Sequence, residues 1–449
     1  MTLARTLGVI AAVTALALGG CSTVSKVSSL SPFHGKKHAK SVIKGVRIPI
    51  ITPGDQLAVS DTLKGQDFLL PAPTAVTQWP LPGGTPAQSV ENVAAAPAFQ
   101  VAWRRAFGVP TSRRRHVTAP PIAAQGRIFV MDGGATISAL DATTGARIWR
   151  TDIMPKSKRD HEAWGGGLAF DGDRIYASSG FREVVQLDAA SGAIGWRTKT
   201  EAPVHAAPTV FAGRVYVADV NDELLALDAA TGAQVWTYQA LTESARILAA
   251  SSPAADNETV VASFASGELV ALRAANGAEL WNASLSRANR TNALSEIRDI
   301  AGRPVIYKDD VYAVSHSDVF AAVDLRTGTA RWTLPVSAIT SPWPAGDVVF
   351  VVDDIGQVIC ASRESGGIYW IHDLNAGRKK KQRAYWSSPL MAGGHLITVS
   401  SKGEAVALDP KTGATLRTLR LGADALIGPI AVNGTIYVVS EAAQLIAIR

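Results

Sequence analysis

The sequence predicts an all-β protein, an eight-bladed β-propeller of four-stranded antiparallel blades closed by pairing its N- and C-terminal strands. Three observations carry this expectation. Tryptophan recurs at Trp103, Trp149, Trp196, Trp236, Trp281, Trp332 and Trp370, and Arg417 holds the next place; the gaps run from 38 to 51 residues. That is the length of one propeller blade. An Asp-x-x-x-Gly turn precedes most of these positions, as in Asp141 to Gly145 before Trp149. The repeat region opens on a lone strand-like run, Phe99 to Arg104, and closes on a third strand, Gln444 to Arg449, with no turn after it. Pairing the two runs makes an eighth blade from both ends and removes the open edges of a linear array.

Taken in order, the chain starts with an address. Arg5 and an apolar stretch from Leu7 to Leu18 form a signal segment too short for a permanent bilayer span. Leu18, Gly19, Gly20 and Cys21 follow, and they resemble the lipobox of bacterial lipoproteins. We therefore expect a signal peptide over 1–20, lipidation of Cys21, and retention at the periplasmic face of the outer membrane, since Ser22 is not an aspartate. Acyl chains hold by roughly 0.8 kcal/mol per buried methylene. Residues 21–98 read as an acylated, Pro-rich, partly disordered tether: nine prolines fall after Cys21, and six Lys/Arg precede the first acidic residue. Trp79, between prolines, is the one residue in it expected to dock on the propeller flank.

The propeller is expected over 99–449. Within each unit an alternating apolar run such as Ile137 to Leu140 reads as a half-buried strand. Asp caps the following amides, and Gly takes the left-handed φ that closes the hairpin. Degenerate copies keep the register with Arg273, Gly277 and Trp281, and with Ser362, Gly366 and Trp370. Residues 1–98 hold eight Lys/Arg and four Asp/Glu, the remainder 36 and 34, so the propeller is close to neutral and no nucleic-acid partner is expected.

Chemistry-bearing motifs are few. Cys360 sits in a strand-like run and reads as a small core residue. His161-Glu162 begins like a zinc-protease motif, but Gly165 stands where the second histidine belongs. His34 and His38 lie in the Lys-rich tether. Asp353-Asp354-Ile355-Gly356 reads as a hairpin turn rather than a calcium loop. Gly165 to Gly167 read as close packing near the axis. No catalytic residue, metal or cofactor is expected.

The repeat resembles the tryptophan-docking repeat of quinoprotein dehydrogenases and of the BamB family, the propeller lipoproteins of the outer-membrane β-barrel assembly machinery. In that motif each indole stacks between blades. The dehydrogenases carry vicinal cysteines, which this chain lacks: its two are Cys21 and Cys360. The resemblance to the BamB family implies a non-catalytic scaffold that binds a BamA-like barrel subunit and assists nascent outer-membrane proteins. It also implies the contact loops. Arg246, Ile247 and Leu248 match the first, and Glu296, Arg298 and Asp299 the second, although the residue order differs and Ala301 replaces an expected acid. Basic stretches at Arg113 to His116, Lys156 to Arg159 and Arg378 to Arg383 should share that face. A small-ligand or polysaccharide-binding propeller is the competing expectation, with a quinone-dependent dehydrogenase behind it.

Overall fold

The computed structural model describes residues 57–155, 165–243, 251–286 and 298–449. Eight four-stranded antiparallel sheets form the eight blades. Seven are contiguous, at residues 122–152, 166–199, 209–239, 254–284, 305–334, 343–373 and 390–420. The eighth takes its first three strands from 430–448 and its fourth from Val101–Ala106, which pairs antiparallel with Gln444–Ile448. The first strand of each blade is short, three residues in seven of the eight, and lies nearest the axis. Second and third strands are almost wholly buried runs of Val, Ile, Leu and Ala, as in Val348–Val352 and Val358 to Ala361. Those faces stack blade on blade. Cys360 is one of these core residues, and burial raises its thiol pKa well above the usual value.

The turn chemistry follows from the residues. Asp141 Oδ1 accepts hydrogen bonds from the Thr143 and Thr144 amides and the Thr144 hydroxyl, and Gly145 closes the turn at φ +72°. Those bonds hold the Asp141 carboxyl below the usual range, Thr144 contributing most. Asp188, Asp228 and Asp324 repeat the arrangement.

Each docking tryptophan lies inside its fourth strand. In all eight blades the register between third and fourth strands shifts just before the docking position. Such a bulge re-aims the next side chain. The indole of Trp236 reaches the turn of the following blade, where its Nε1 donates to the Ala274 carbonyl (3.1 Å). A Cβ added to Gly277 would lie 2.6 Å from its ring, so that turn needs glycine for space as well as for its φ of +71°. Trp103, Trp149, Trp196, Trp281, Trp332 and Trp370 make the equivalent bond to Thr143, Ala189, Ala229, Leu325, Arg363 and Pro410.

Arg417 departs from this pattern for a topological reason. Its neighbour is the eighth blade, whose third and fourth strands come from distant parts of the chain, so no hairpin turn is there to receive an indole. Arg417 instead donates to the carbonyls of Pro97 and Ala98, on the segment leading into that fourth strand.

The tether expected over 21–98 is corrected where it is described. Residues 57–98 are a strap laid against the ring. Trp79 is 1% exposed and pairs with Ala123 through both backbone groups. Its Nε1 donates to the Pro82 carbonyl, and its ring stacks on Trp343 at 6.4 Å. Phe68, Leu81 and Val93 are also buried, each in a core cluster shared with the blades. Hydrogen bonds from the strap reach the first-strand region of every blade. Trp79 meets blade 1, Pro80 blade 2, Gln88 blade 3, Pro86 blade 4, Ala87 blade 5, Leu69 blade 6, Val93 blade 7 and Ala96 blade 8. Prolines exclude a central strand here, but they do not prevent an extended chain from burying apolar side chains between them.

Candidate functional site

The order of strands defines two faces. Each first strand runs from the loop that enters its blade towards the turn before the second strand. The strap bonds lie at the latter end, on one face. The entering loops and the turns between second and third strands lie on the other.

On that second face a cavity of about 560 Å³ opens along the axis. Its wall is built from the residues that enter successive blades: Val117, His205, Ser252, Arg303, Ser341, Ser388 and Ile427 represent seven of them. These segments are tied one to the next. Gly166 N–H donates to the His205 carbonyl (2.9 Å), and Ser251 Oγ to the Gly302 carbonyl (3.1 Å). Arg303 N–H donates to Ser341 Oγ, and Ser341 N–H to Ser388 Oγ, both at 2.9 Å. Close approach requires small residues here: a Cβ on Gly166 would lie 2.1 Å from the Ser178 carbonyl oxygen, and one on Gly302 2.2 Å from that of Thr340. The glycine run at 165–167 is therefore packing, as its sequence suggests. The guanidinium of Arg303 stands in this wall, and burial alone lowers its pKa to about 10.

Around the funnel the open face carries large apolar side chains. Leu241, Ile339, Tyr385 and Leu426 sit in loops entering blades, and Ile355 in a turn between second and third strands; Leu241 is 68% exposed and Tyr385 70%. Other exposed apolar residues have a different origin. Ile148, Val235, Leu280 and Leu416 are the bulge residues just before the docking positions, turned outward as the next side chain turns inward.

Two of the basic stretches fall on the open face as well. Arg113 and Arg114 are exposed, as are Lys379, Lys380, Lys381 and Arg383 around a short 3-10 turn. Arg378 is engaged instead, bonding Glu404 at 2.7 Å and lying over the Trp386 ring. The stretch Lys156 to Arg159 and the His161-Glu162 pair lie outside the described residues. So do Cys21, Arg246, Ile247, Leu248 and Glu296. Arg298 is exposed, at the entry to blade 5. Asp299 is 3% exposed, and its carbonyl accepts from His316 N–H (2.9 Å). Its side chain therefore faces inward, which corrects its assignment as a partner contact.

Asp353 and Asp354 form a turn, as their sequence suggests, and each carboxylate has its own work. Asp353 Oδ1 accepts from the amides of Ile355 and Gln357, and burial pushes its carboxyl up to about 6. Asp354 Oδ2 lies 3.0 Å from His316 Nδ1 and accepts from Ser337 Oγ (2.6 Å). The trio joins blade 5 to blade 6. Among the described residues no group of three or more His, Cys, Asp or Glu is placed to hold a metal ion.

Fold and site together define a closed propeller of tryptophan-docking repeats with one face strapped and the other open. A family model described as "Outer membrane protein assembly factor BamB" matches residues 92–159, 133–372 and 375–449. The chain belongs to that family. The assembly factor BamB of Yersinia pestis is 25% identical over 280 residues, which is 62% of this chain and 70% of that protein. Among solved structures, BamB from Moraxella catarrhalis superposes with a TM-score of 0.67 at 18% identity, covering 78% of this chain and all of that one. Quinohemoprotein alcohol dehydrogenase from Comamonas testosteroni gives 0.66 at 14% identity, over 84% of this chain and 81% of its own. At these identities the two solved structures speak for the fold alone.

Sequence reasoning missed Arg303, the funnel and the strap. A signal for the strap was present in the apolar residues between its prolines, Phe68, Trp79, Leu81 and Val93. None was present for Arg303, which stands beside the unremarkable Gly302 and Pro304.

Proposed function

We propose that this chain is a non-catalytic scaffold subunit for outer-membrane protein assembly, held to the periplasmic face of the outer membrane by lipid on Cys21 and binding a BamA-like barrel subunit through its open face. Membership of the BamB family supports the assembly role, and the lipobox-like Leu18 to Cys21 supports the anchor. The observation that carries the docking face is the asymmetry of the ring. One face is occupied by the chain's own strap, while the other presents Leu241, Ile339, Ile355, Tyr385 and Leu426 together with Arg298 and exposed lysines. Apolar anchors with arginine among them are what interface energy is made of, and charged rims set the rate and salt dependence of association. The non-catalytic reading rests on the missing vicinal cysteines and the burial of Cys360. Nascent outer-membrane proteins are a second partner class that the same face could serve.

The test is co-purification of the full lipoprotein in mild detergent. Arg246→Glu, Leu248→Ala and Arg298→Glu combined, with Asp299 left alone because it is buried, should abolish recovery of the barrel subunit without changing thermal unfolding. Replacing Lys379, Lys380 and Lys381 by Glu should change mainly the salt dependence. Full recovery with the first variant and loss with the second would move the contact to the basic rim; full recovery with both would sink the docking face.

A further inference from the structure

The axial funnel contains a cation, Arg303, whose side chain has no partner among the described residues. Arg303 lines the cavity, and its Nε is buried without a hydrogen-bond partner. No hydrogen bond or ion pair of its guanidinium occurs among the described residues; only its backbone N–H is bonded, to Ser341. Three other partly buried arginines are engaged: Arg197 with Glu183, Arg214 with Asp228, and Arg363 with the Gly346 carbonyl and the Tyr307 ring. A partly buried charge without a partner is costly, and arginine cannot escape by deprotonating at neutral pH. Retaining one in a cavity wall makes sense where an anion arrives to complete it.

The neighbouring groups have the same polarity. Ser341 Oγ and Ser388 Oγ each accept a backbone N–H, of Arg303 and Ser341 respectively, and neither hydroxyl proton has an acceptor among the described residues. Ser252 Oγ, also on the wall, makes no hydrogen bond there. Arginine and three hydroxyls thus offer donors to the cavity. Val117, Ile339, Leu426 and Ile427 line the same cavity and offer apolar surface to the body of a ligand. The hydrogen bonds that link consecutive entering segments hold these groups in place before any ligand binds, which reduces the ordering cost of binding. About 560 Å³ is the size of a small-molecule site. Glu441 on the same wall opposes a polyanion.

We propose that the axial funnel binds a small molecule carrying one carboxylate on an apolar body, with the Arg303 guanidinium forking onto the carboxylate and Ser341 and Ser388 donating beside it. This site adjoins the partner-binding loops and shares Ile339 and Leu426 with the open face, but it does not depend on the scaffold reading.

The experiment uses the full chain, with 3-phenylpropionate as probe and 3-phenylpropionamide as its uncharged match, read by calorimetry and thermal unfolding. Wild type should bind the carboxylate saturably and about tenfold or more tighter than the amide, the discrimination expected of a charge-assisted fork. Arg303→Gln should lose that preference. It should also raise the unfolding temperature of the ligand-free protein, because it removes an uncompensated charge; a fork onto another protein group would give the opposite sign. Arg303→Lys keeps the charge and should retain weaker binding, which guards against a misfolded variant. Equal affinity for acid and amide, no binding of the acid by wild type, or a ligand-free Arg303→Gln protein less stable than wild type would each overturn the site. Co-purification with the barrel subunit should be unchanged in Arg303→Gln, so failure here and failure of the docking face are told apart.

Discussion

On one face of the ring the first strand of every blade is met by the chain's own residues 69–96; on the other, the entering loops leave apolar and basic side chains in water. Both faces are made by the same eightfold repeat, so the repeat itself does not distinguish them. What differs is that residues outside the repeat have been spent on covering one side. The strap buries Phe68, Trp79, Leu81 and Val93 where a ring of short strand ends would otherwise be exposed. No equivalent covers Leu241 or Tyr385 among the described residues. Exposed apolar side chains gathered in the entering loops support the open face as the proposed docking side, while on the strap Leu69 alone is exposed to this degree among the described residues.

The largest effect should come from breaking the covered face. Trp79→Ala removes a fully buried aromatic and should cost about 3–5 kcal/mol in denaturant unfolding. Tyr385→Ala on the open face should stay within about 0.5 kcal/mol, because no buried contact is lost. If the two substitutions cost the same, the strap is not part of the folded ring and the contrast between the faces fails.

A smaller effect concerns the seam at which the ring closes. Arg417→Trp restores the repeat's own docking residue, yet it should destabilise by about 1 kcal/mol, because two hydrogen bonds to Pro97 and Ala98 are lost at an exposed site. Placing the same tryptophan where a hairpin turn exists would be expected to stabilise. A gain in stability for Arg417→Trp would show that the eighth blade receives an indole without such a turn, and would undo the topological account of this position.

The smallest concerns pH at the open face. The hydrogen bond to Asp354 raises the His316 pKa above 6.5, with Asp318 and Asp299 adding to it against the cost of burial. Burial opposes ionisation of Asp354, but the His316 and Ser337 hydrogen bonds outweigh it and leave that carboxyl below 3.8. The histidine's contribution is thus present below its unfolded pKa and lost as pH rises through its higher folded value. The aspartate's is present above its unfolded pKa and lost as pH falls through its lower folded value. His316→Gln should therefore lower the unfolding temperature most at about pH 5–6.5, on the order of 1 °C, and less at alkaline pH. A difference that grows above pH 8 would mean that the neutral imidazole, not the ion pair, holds blade 5 to blade 6.

The blade count, the turn residues and the closing pair of strands were legible because each is local or periodic. Asp141 with Gly145 reads as a turn from five consecutive residues, and Trp149 to Trp370 repeat at blade spacing. The strap was misread for the opposite reason. Proline density reports on backbone choice, and Trp79 meets Ala123, forty-four residues away, only once the ring exists. Asp299 was misread in a similar way: a charged residue beside Arg298 looks exposed in a line of text, and only the fold turns its carboxylate inward.

By itself, then, the sequence determined what recurs: four strands per blade, the Gly of each hairpin turn with the Asp of most, and the tryptophans that lock one blade to the next. Those features depend on neighbours within one repeat length, where spacing alone carries the information. Tertiary structure decided what happens once per molecule. It decided which face the strap covers, why Arg417 finds carbonyls instead of a turn, and how Arg303, Ser341 and Ser388 from three different blades come to line one cavity. Each of these joins residues from separate blades, and no periodicity records them, because the contacts arise only when the ring brings its eight entering segments to a common axis.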